Sequence, residues 1–86
     1  MKSFESVWLR IVAHEDSEFR QVRGKTFKYK MNGNAIVPNT TNYLIAKSQI
    51  ERAWERMPVR GPGEISDLIA PSYLFAILAD ERISGE

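Results

Sequence analysis

Apolar residues recur at helical spacing at the start of the chain. Positions i, i+3, i+4, i+7 and i+8 of one stripe are Phe4, Val7, Trp8, Ile11 and Val12. Ser3 precedes the stripe and is a suitable N-cap. The pattern predicts a helix over residues 3–15, which frays through Phe19 and Val22 and stops at Gly24.

The pattern changes to an alternation of period two over residues 26–31, which is typical of a half-buried strand. The apolar positions, expected on one face, are Phe27, Tyr29 and Met31. Asn32-Gly33 predicts a tight hairpin turn directly afterwards. Two further strands are predicted at residues 34–37 and 43–46, on either side of a polar loop.

A second helical stripe begins after these strands. Ser48 and Glu51 have the spacing of a capping box, which predicts a helix that starts at Gln49 and ends before Pro58. Its apolar positions are Ile50, Ala53, Trp54 and Met57. Both tryptophans of the chain lie on such stripes, and we therefore expect them in the core.

The last predicted helix opens at Pro71, with Ser72 as its N-cap, and ends near Ile83. One face of this helix carries Leu74, Ile77 and Leu78. Tyr73 and Phe75 fall outside that face, so the helix is apolar nearly all round. Such a helix either packs into the core or faces a partner, and the second alternative makes Tyr73 and Phe75 candidates for self-association.

These elements predict an α+β fold in the order α-β-β-β-α-α. We expect a small three-stranded antiparallel sheet covered by helices, in a single globular domain over residues 1–86. The composition agrees, since 43% of the 86 residues are hydrophobic and 27% are charged. The absence of cysteine excludes a disulfide scaffold and a thiolate zinc site.

No segment has the pattern of an export signal or of a membrane span. The N-terminal residues lack an apolar run next to positive charge, and the longest apolar stretch, residues 74–79, is too short to cross a bilayer. We therefore expect a cytoplasmic protein that makes no contact with a membrane.

The net charge of +1 hides a strong separation of charge along the chain. Residues 17–30 hold five cations against Glu18 alone, which gives +4, whereas residues 61–86 hold Arg82 against five acids, which gives −4. The five cations are Arg20, Arg23, Lys25, Lys28 and Lys30. Alternation places Lys28 and Lys30 on the same side of their strand. This segment predicts a surface that binds the phosphates of a nucleic acid or an acidic protein partner.

Two other interpretations of the basic segment stay open at this point. Lysines on the wet side of an edge strand commonly protect a sheet against aggregation. Alternatively, the acidic last segment folds back and neutralises the cations. The alternation also assigns Phe27 and Tyr29 to the core, which disfavours a surface on which bases stack.

The chain offers little catalytic chemistry. His14-Glu15-Asp16 is the only cluster that combines a base with carboxylates, but adjacent helical residues point about 100° apart and cannot all converge. Residues 61–64 and Ser72 match neither a phosphate-binding loop nor a nucleophile elbow. The sequence therefore predicts no catalytic residue, no metal ligand and no cofactor.

The favoured function is thus a non-enzymatic interaction module. A different class is a small-molecule-binding or minor enzymatic domain whose pocket lies at an oligomer interface, lined by Tyr73 or His14. A third is a structural accessory subunit, which would expose a large apolar patch to a partner protein.

Two stretches of the chain resemble known bacterial sequences. Residues 41–48 (TNYLIAKS) and the segment that runs from Gly61-Pro62 through residues 71–83 (PSYLFAILADERI) are similar to small bacterial proteins carried on mobile elements such as integron gene cassettes. Together the stretches cover less than half of the chain. The resemblance implies a stand-alone bacterial protein and assigns no activity to any residue.

Overall fold

One helix, five short strands and four helical segments follow one another along the chain, which the computed structural model describes over residues 3–85. The helices are α1 (Phe4–Ala13), α2 (Lys47–Arg56), a 3₁₀ helix (Pro62–Ile65), α3 (Pro71–Leu78) and α4 (Glu81–Ser84). The strands are β1 (Phe19–Arg20), β2 (Thr26–Phe27), β3 (Tyr29–Met31), β4 (Ala35–Pro38) and β5 (Ile45–Ala46). The predicted α+β class is confirmed.

The strands form two antiparallel sheets. The predicted three-stranded sheet is present, with the strand order β3-β4-β5, and a separate two-stranded sheet joins β1 to β2. The predicted strand over residues 26–31 is divided at Lys28, whose backbone N–H donates to Asn39 Oδ1 (2.9 Å) while the Asn39 N–H donates to the Lys28 carbonyl (2.8 Å). The chain therefore pairs with β1 before Lys28 and with β4 after it.

The turn between β3 and β4 lies one residue further along than predicted. The Asn32 N–H donates to the Ala35 carbonyl at 2.9 Å, so Gly33 and Asn34 are the two central residues. Gly33 has φ +60°, as the first central position of a type II′ turn requires. Glycine adopts this backbone conformation at little steric cost.

Helix α1 begins after its predicted N-cap, Ser3, whose hydroxyl accepts the Ser6 N–H. It ends at Ala13, however, and the predicted fraying through Phe19 is wrong. Asp16 has φ +68° and reverses the chain, and its N–H donates to the Tyr29 carbonyl at 3.0 Å. Phe19 consequently lies in a strand rather than at the end of a helix.

The predicted start of the second helix and the predicted N-cap of the last helix are wrong, whereas the predicted opening of the last helix at Pro71 is confirmed. Helix α2 begins at Lys47 because β5 runs straight into it, and the Lys47 N–H donates to the Asn34 carbonyl at 2.8 Å. Ser48 therefore lies inside the helix and caps nothing. Helix α3 is preceded by Ala70 at φ +48°, so Ser72 is its second residue and not its N-cap.

The predicted last helix is interrupted, so its continuation to Ile83 as one element is wrong. Asp80 has extended backbone and accepts the Arg82 N–H at 2.9 Å, which makes it the N-cap of α4. An aspartate side chain competes with helical hydrogen bonding in this way. The break turns α4 so that Ile83 is fully buried in the core.

The buried apolar side chains form one continuous cluster. It includes both tryptophans and the predicted inward faces of the strand and the last helix, namely Phe27, Tyr29, Leu74, Ile77 and Leu78. The Tyr29 hydroxyl is buried and donates to the Ile11 carbonyl near the end of α1. Burial raises the pKa of Tyr29 well above its ordinary value, so the hydroxyl keeps its proton.

The first prediction concerns this buried hydroxyl. Tyr29→Phe removes the donor to the Ile11 carbonyl, and we expect the free energy of unfolding in urea to fall by about 1.5 kcal/mol. Tyr73→Phe is the matched control, since its hydroxyl bonds to the Thr40 hydroxyl (2.6 Å) at an exposed site, and its loss should be smaller. Equal losses in the two variants would contradict the buried bond.

The second prediction concerns Asp80. Hydrogen bonding from Arg82 holds the pKa of Asp80 below its ordinary value of 3.8. Its contribution to stability is therefore complete above pH 4 and is lost as the pH falls through the lowered pKa. In Asp80→Asn, which can still cap α4, the melting temperature should fall less between pH 4 and pH 2. An unchanged acid profile would contradict the assignment.

Candidate functional site

The basic segment folds as the β1–β2 hairpin. The Gly24 N–H donates to the Gln21 carbonyl (2.9 Å), and the Gln21 N–H donates to the Lys25 carbonyl (2.8 Å). Gly24 has φ +94°, the conformation that closes a three-residue hairpin loop. Gly24 is thus a turn residue, not the end of a helix, and Arg23 and Lys25 flank it at the tip.

Aromatic contacts fix the hairpin on the helices. The rings of Phe19 and Phe27 stack at 6.1 Å, and the Phe27 ring meets that of Tyr73 edge-on at 4.8 Å. On the other side, the Arg82 guanidinium lies 4.3 Å from the centre of the Phe19 ring and donates to the Glu18 carbonyl at 2.7 Å. The hairpin is therefore held by α3 and by α4.

The five predicted cations do not lie on one face. Arg20 is paired with Thr26 in the hairpin and is exposed, as are Lys28, at the break between β2 and β3, and Lys30, in β3. Arg23 and Lys25 instead line a cleft of about 620 Å³ between the hairpin, the 3₁₀ helix and the start of α3. The other residues of this cleft are Gln21, Val22, Pro62 and Ser72.

Lys30 differs from the other four cations because it has a partner. Its Nζ lies 2.5 Å from Asp16 Oδ2. The hydrogen bond to this carboxylate, and then its charge, raise the pKa of Lys30. The charge of Lys30 is consequently balanced within the chain.

The remaining four cations form what we call the basic surface: Arg20, Arg23, Lys25 and Lys28. Over residues 3–85, none of them lies in a salt bridge; the bridges use Lys30, Lys47, Arg56 and Arg82 instead. Two acids of the last segment are paired elsewhere, Asp67 with Arg56 at 2.6 Å and Asp80 with Arg82 at 2.9 Å. No acid in the described part of that segment forms a salt bridge with the basic surface.

The cluster His14-Glu15-Asp16 is divided among separate partners. His14 Nδ1 lies 2.9 Å from the Arg10 carbonyl, and the Glu15 carboxylate accepts the Met31 N–H at 2.8 Å, while Asp16 binds Lys30. Among the described residues, no group of three or more histidines and acids could hold a metal ion. Glu15 and Asp16 thus connect to β3, whereas His14 bonds within α1.

Tyr73 and Phe75 are half-buried and pack against the core cluster. Of the two alternatives for this helix, packing into the core thus accounts for both side chains, and self-association through them stays a prediction. Neither Tyr73 nor His14 lines the basic cleft. Neither lines a second cleft, of about 370 Å³, which is bounded mainly by the apolar residues Trp54, Met57, Pro58 and Leu78.

Sequence reasoning missed Gln21 and Val22 of the basic cleft, and it considered Pro62 and Ser72 as parts of a phosphate-binding loop but rejected them. A usable signal existed, because two short phenylalanine-containing stretches lie on either side of Gly24, a pattern that favours a hairpin. Pro62 and Ser72 join the cleft only through the packing of the 3₁₀ helix and α3 beside the hairpin. No local pattern reports that arrangement.

Comparison with models of protein families, with curated proteins and with solved structures gave no match. Within residues 3–85, the longest helices have ten residues, and none has both the length and the apolar character needed to cross a bilayer. The case for a function therefore depends on the geometry of the basic surface.

The third prediction tests the hairpin turn. Gly24→Ala places a side chain at φ +94° in otherwise open space, and the strain should cost about 1 kcal/mol of unfolding free energy. Gly63→Ala is the control, because that position is equally open and has no positive φ. If urea unfolding shows the same change for both variants, the left-handed turn at Gly24 is wrong.

Proposed function

We propose that this protein is a non-enzymatic module that binds nucleic acid through the phosphate contacts of its basic surface. The observation that carries the proposal is the set of four exposed cations on and beside one hairpin, with no carboxylate of the described residues in a salt bridge to any of them. Phosphate oxygens are natural partners for such a cluster, since binding also releases condensed counterions.

Protection of a sheet edge explains Lys28 and Lys30 less well than it explains Arg20 and Lys25, because β1 and β2 form a two-stranded sheet in which each is an edge strand. Strand β2 is paired with β1, and β3 is paired with β4. The outer edge of β3 is hydrogen-bonded to the chain that follows α1. The Asp16 N–H donates to the Tyr29 carbonyl, and the Glu15 carboxylate accepts the Met31 N–H. The strand that carries Lys28 and Lys30 thus has little open edge to protect.

The salt bridge to Asp16 changes which cations we expect to act. All five cations of residues 17–30 were candidates on sequence, but a phosphate that binds Lys30 would have to compete with the carboxylate 2.5 Å away. The proposal therefore assigns the phosphate contacts to Arg20, Arg23, Lys25 and Lys28, with Lys30 in a lesser role.

The proposal places the protein in the bacterial cytoplasm, in line with the resemblance of residues 41–48 and 71–83 to integron-cassette proteins. Self-association through Tyr73 and Phe75 would place two basic surfaces in one particle. Nucleic-acid binding by the single chain does not require it.

The fourth prediction is a dependence of affinity on salt. If four cations contact phosphates, the logarithm of the association constant should fall against the logarithm of salt concentration with a slope of about −3.6 for duplex DNA and about −2.8 for a single strand. Fluorescence anisotropy with labelled oligonucleotides measures both slopes. The absence of binding, or a flat response to salt, would overturn the proposal.

Matched variants locate the contacts. Lys25→Gln and Lys28→Gln should each weaken binding and reduce the size of the slope by about 0.7–0.9. Arg52→Gln, which removes one exposed cation from α2, should leave the slope unchanged. Competition by polyglutamate that matches competition by nucleic acid would indicate an acidic protein partner instead.

A further inference from the structure

We infer that the cleft beside the hairpin holds the phosphorylated end of a single nucleic-acid strand, with the terminal nucleotide inside the cleft. This inference rests on the proposed function and deepens it. It assigns Arg23 and Lys25 to the terminal phosphate, whereas Arg20 and Lys28 contact the phosphates of the rest of the strand.

The shape of the cleft favours a single nucleotide. Its volume of about 620 Å³ falls within the range of small-ligand sites, which is about 300–1,000 Å³. A duplex keeps its bases stacked and paired and cannot place one nucleotide in such a cleft without unpairing it. The end of a single strand meets no such cost.

The chemistry of the walls matches the parts of a nucleotide. Val22, which is 67% exposed, and Pro62 offer apolar surface to a sugar or to the face of a base. The side chains of Gln21 and Ser72 make no hydrogen bond within residues 3–85 and remain available to polar groups of the ligand. Arg23 and Lys25 supply the positive charge.

The number of charges favours a terminal phosphate over an internal one. An internal phosphodiester carries one negative charge, whereas a phosphate monoester at a strand end carries about −1.5 to −2 near pH 7. Two cations in one cleft, without a carboxylate partner among the described residues, therefore match the terminal group better.

The fifth prediction compares labelled single strands of one sequence that end in a 5′-phosphate, a 3′-phosphate or hydroxyl groups only, alongside the blunt duplex, at one fixed salt concentration. At least one phosphorylated strand should bind about tenfold more tightly than the hydroxyl strand. Arg23→Gln and Lys25→Gln should abolish this preference. Circular dichroism confirms that each variant is folded.

Arg20→Gln and Lys28→Gln are the matched controls, since they remove the same charge from the basic surface outside the cleft. They should weaken the binding of all the single strands alike and preserve the tenfold ratio. If Arg23→Gln and Lys25→Gln also preserve it, the preference does not arise in the cleft and the inference is wrong.

The failure of this inference is distinguishable from the failure of the proposed function. Salt-dependent binding with equal affinity for phosphorylated and hydroxyl strands would overturn the cleft assignment and leave the proposed function standing. An absence of binding to every strand would overturn both. A free nucleoside monophosphate that displaces the strand at equal concentration would identify the ligand as a small molecule, which also contradicts the strand-end assignment.

Discussion

The burial of three neighbouring aromatic rings is the interaction on which the rest of the structure depends. Phe19, Phe27 and Tyr29 are at most 2% exposed, and the Phe19 ring lies 6.1 Å from that of Phe27 and 5.5 Å from that of Tyr29. Each such side chain contributes about 1.5–3 kcal/mol through burial, which far exceeds the effect of an exposed ion pair. Because side chains alternate along extended backbone, burying the rings forces Lys28, between Phe27 and Tyr29, and Lys30, after Tyr29, into solvent.

The fold also sorts the charges that the sequence places close together. Two acids lie just N-terminal to the basic segment. Asp16 forms a salt bridge with Lys30, and the Glu15 carboxylate accepts the Met31 N–H. Asp67 forms a salt bridge with Arg56, and Asp80 forms one with Arg82. A chain of net charge +1 thereby presents a local group of four cations, which composition alone would not reveal.

The sequence correctly predicts the elements that have a regular apolar repeat, but it does not predict the short strand β1 or the helix caps at Ser48 and Ser72. The stripe of α1 and the alternation around Phe27 repeat over several residues, so each signal is reinforced by its neighbours. Strand β1 has only two residues and follows a run of charged side chains, which gives no period to detect. Ser48 and Ser72 fit local capping rules, but each is the second residue of its helix, since α2 begins at Lys47 and α3 begins, as predicted, at Pro71.

The basic cleft shows why the candidate site could be predicted only in part. The cations were visible as an excess of charge over residues 17–30, whereas the opposite wall comes from Pro62 and Ser72, about forty residues away. Which side of the hairpin each cation faces depends on Gly24 and on the break at Lys28. The sequence around Gly24 favours a turn, but the break at Lys28 cannot be located without knowing the partners of the strand.

The last part of the chain, around α4, contacts both α1 and the β1–β2 hairpin, and this has a consequence for folding during synthesis. Arg82 covers Phe19, Arg10 donates to the Gly85 carbonyl at 2.5 Å, and Ile83 completes the core. During synthesis on the ribosome, the rings of the hairpin therefore stay incompletely packed until residues about sixty positions later have been added. Folding should be largely a single event after α4 has been synthesised.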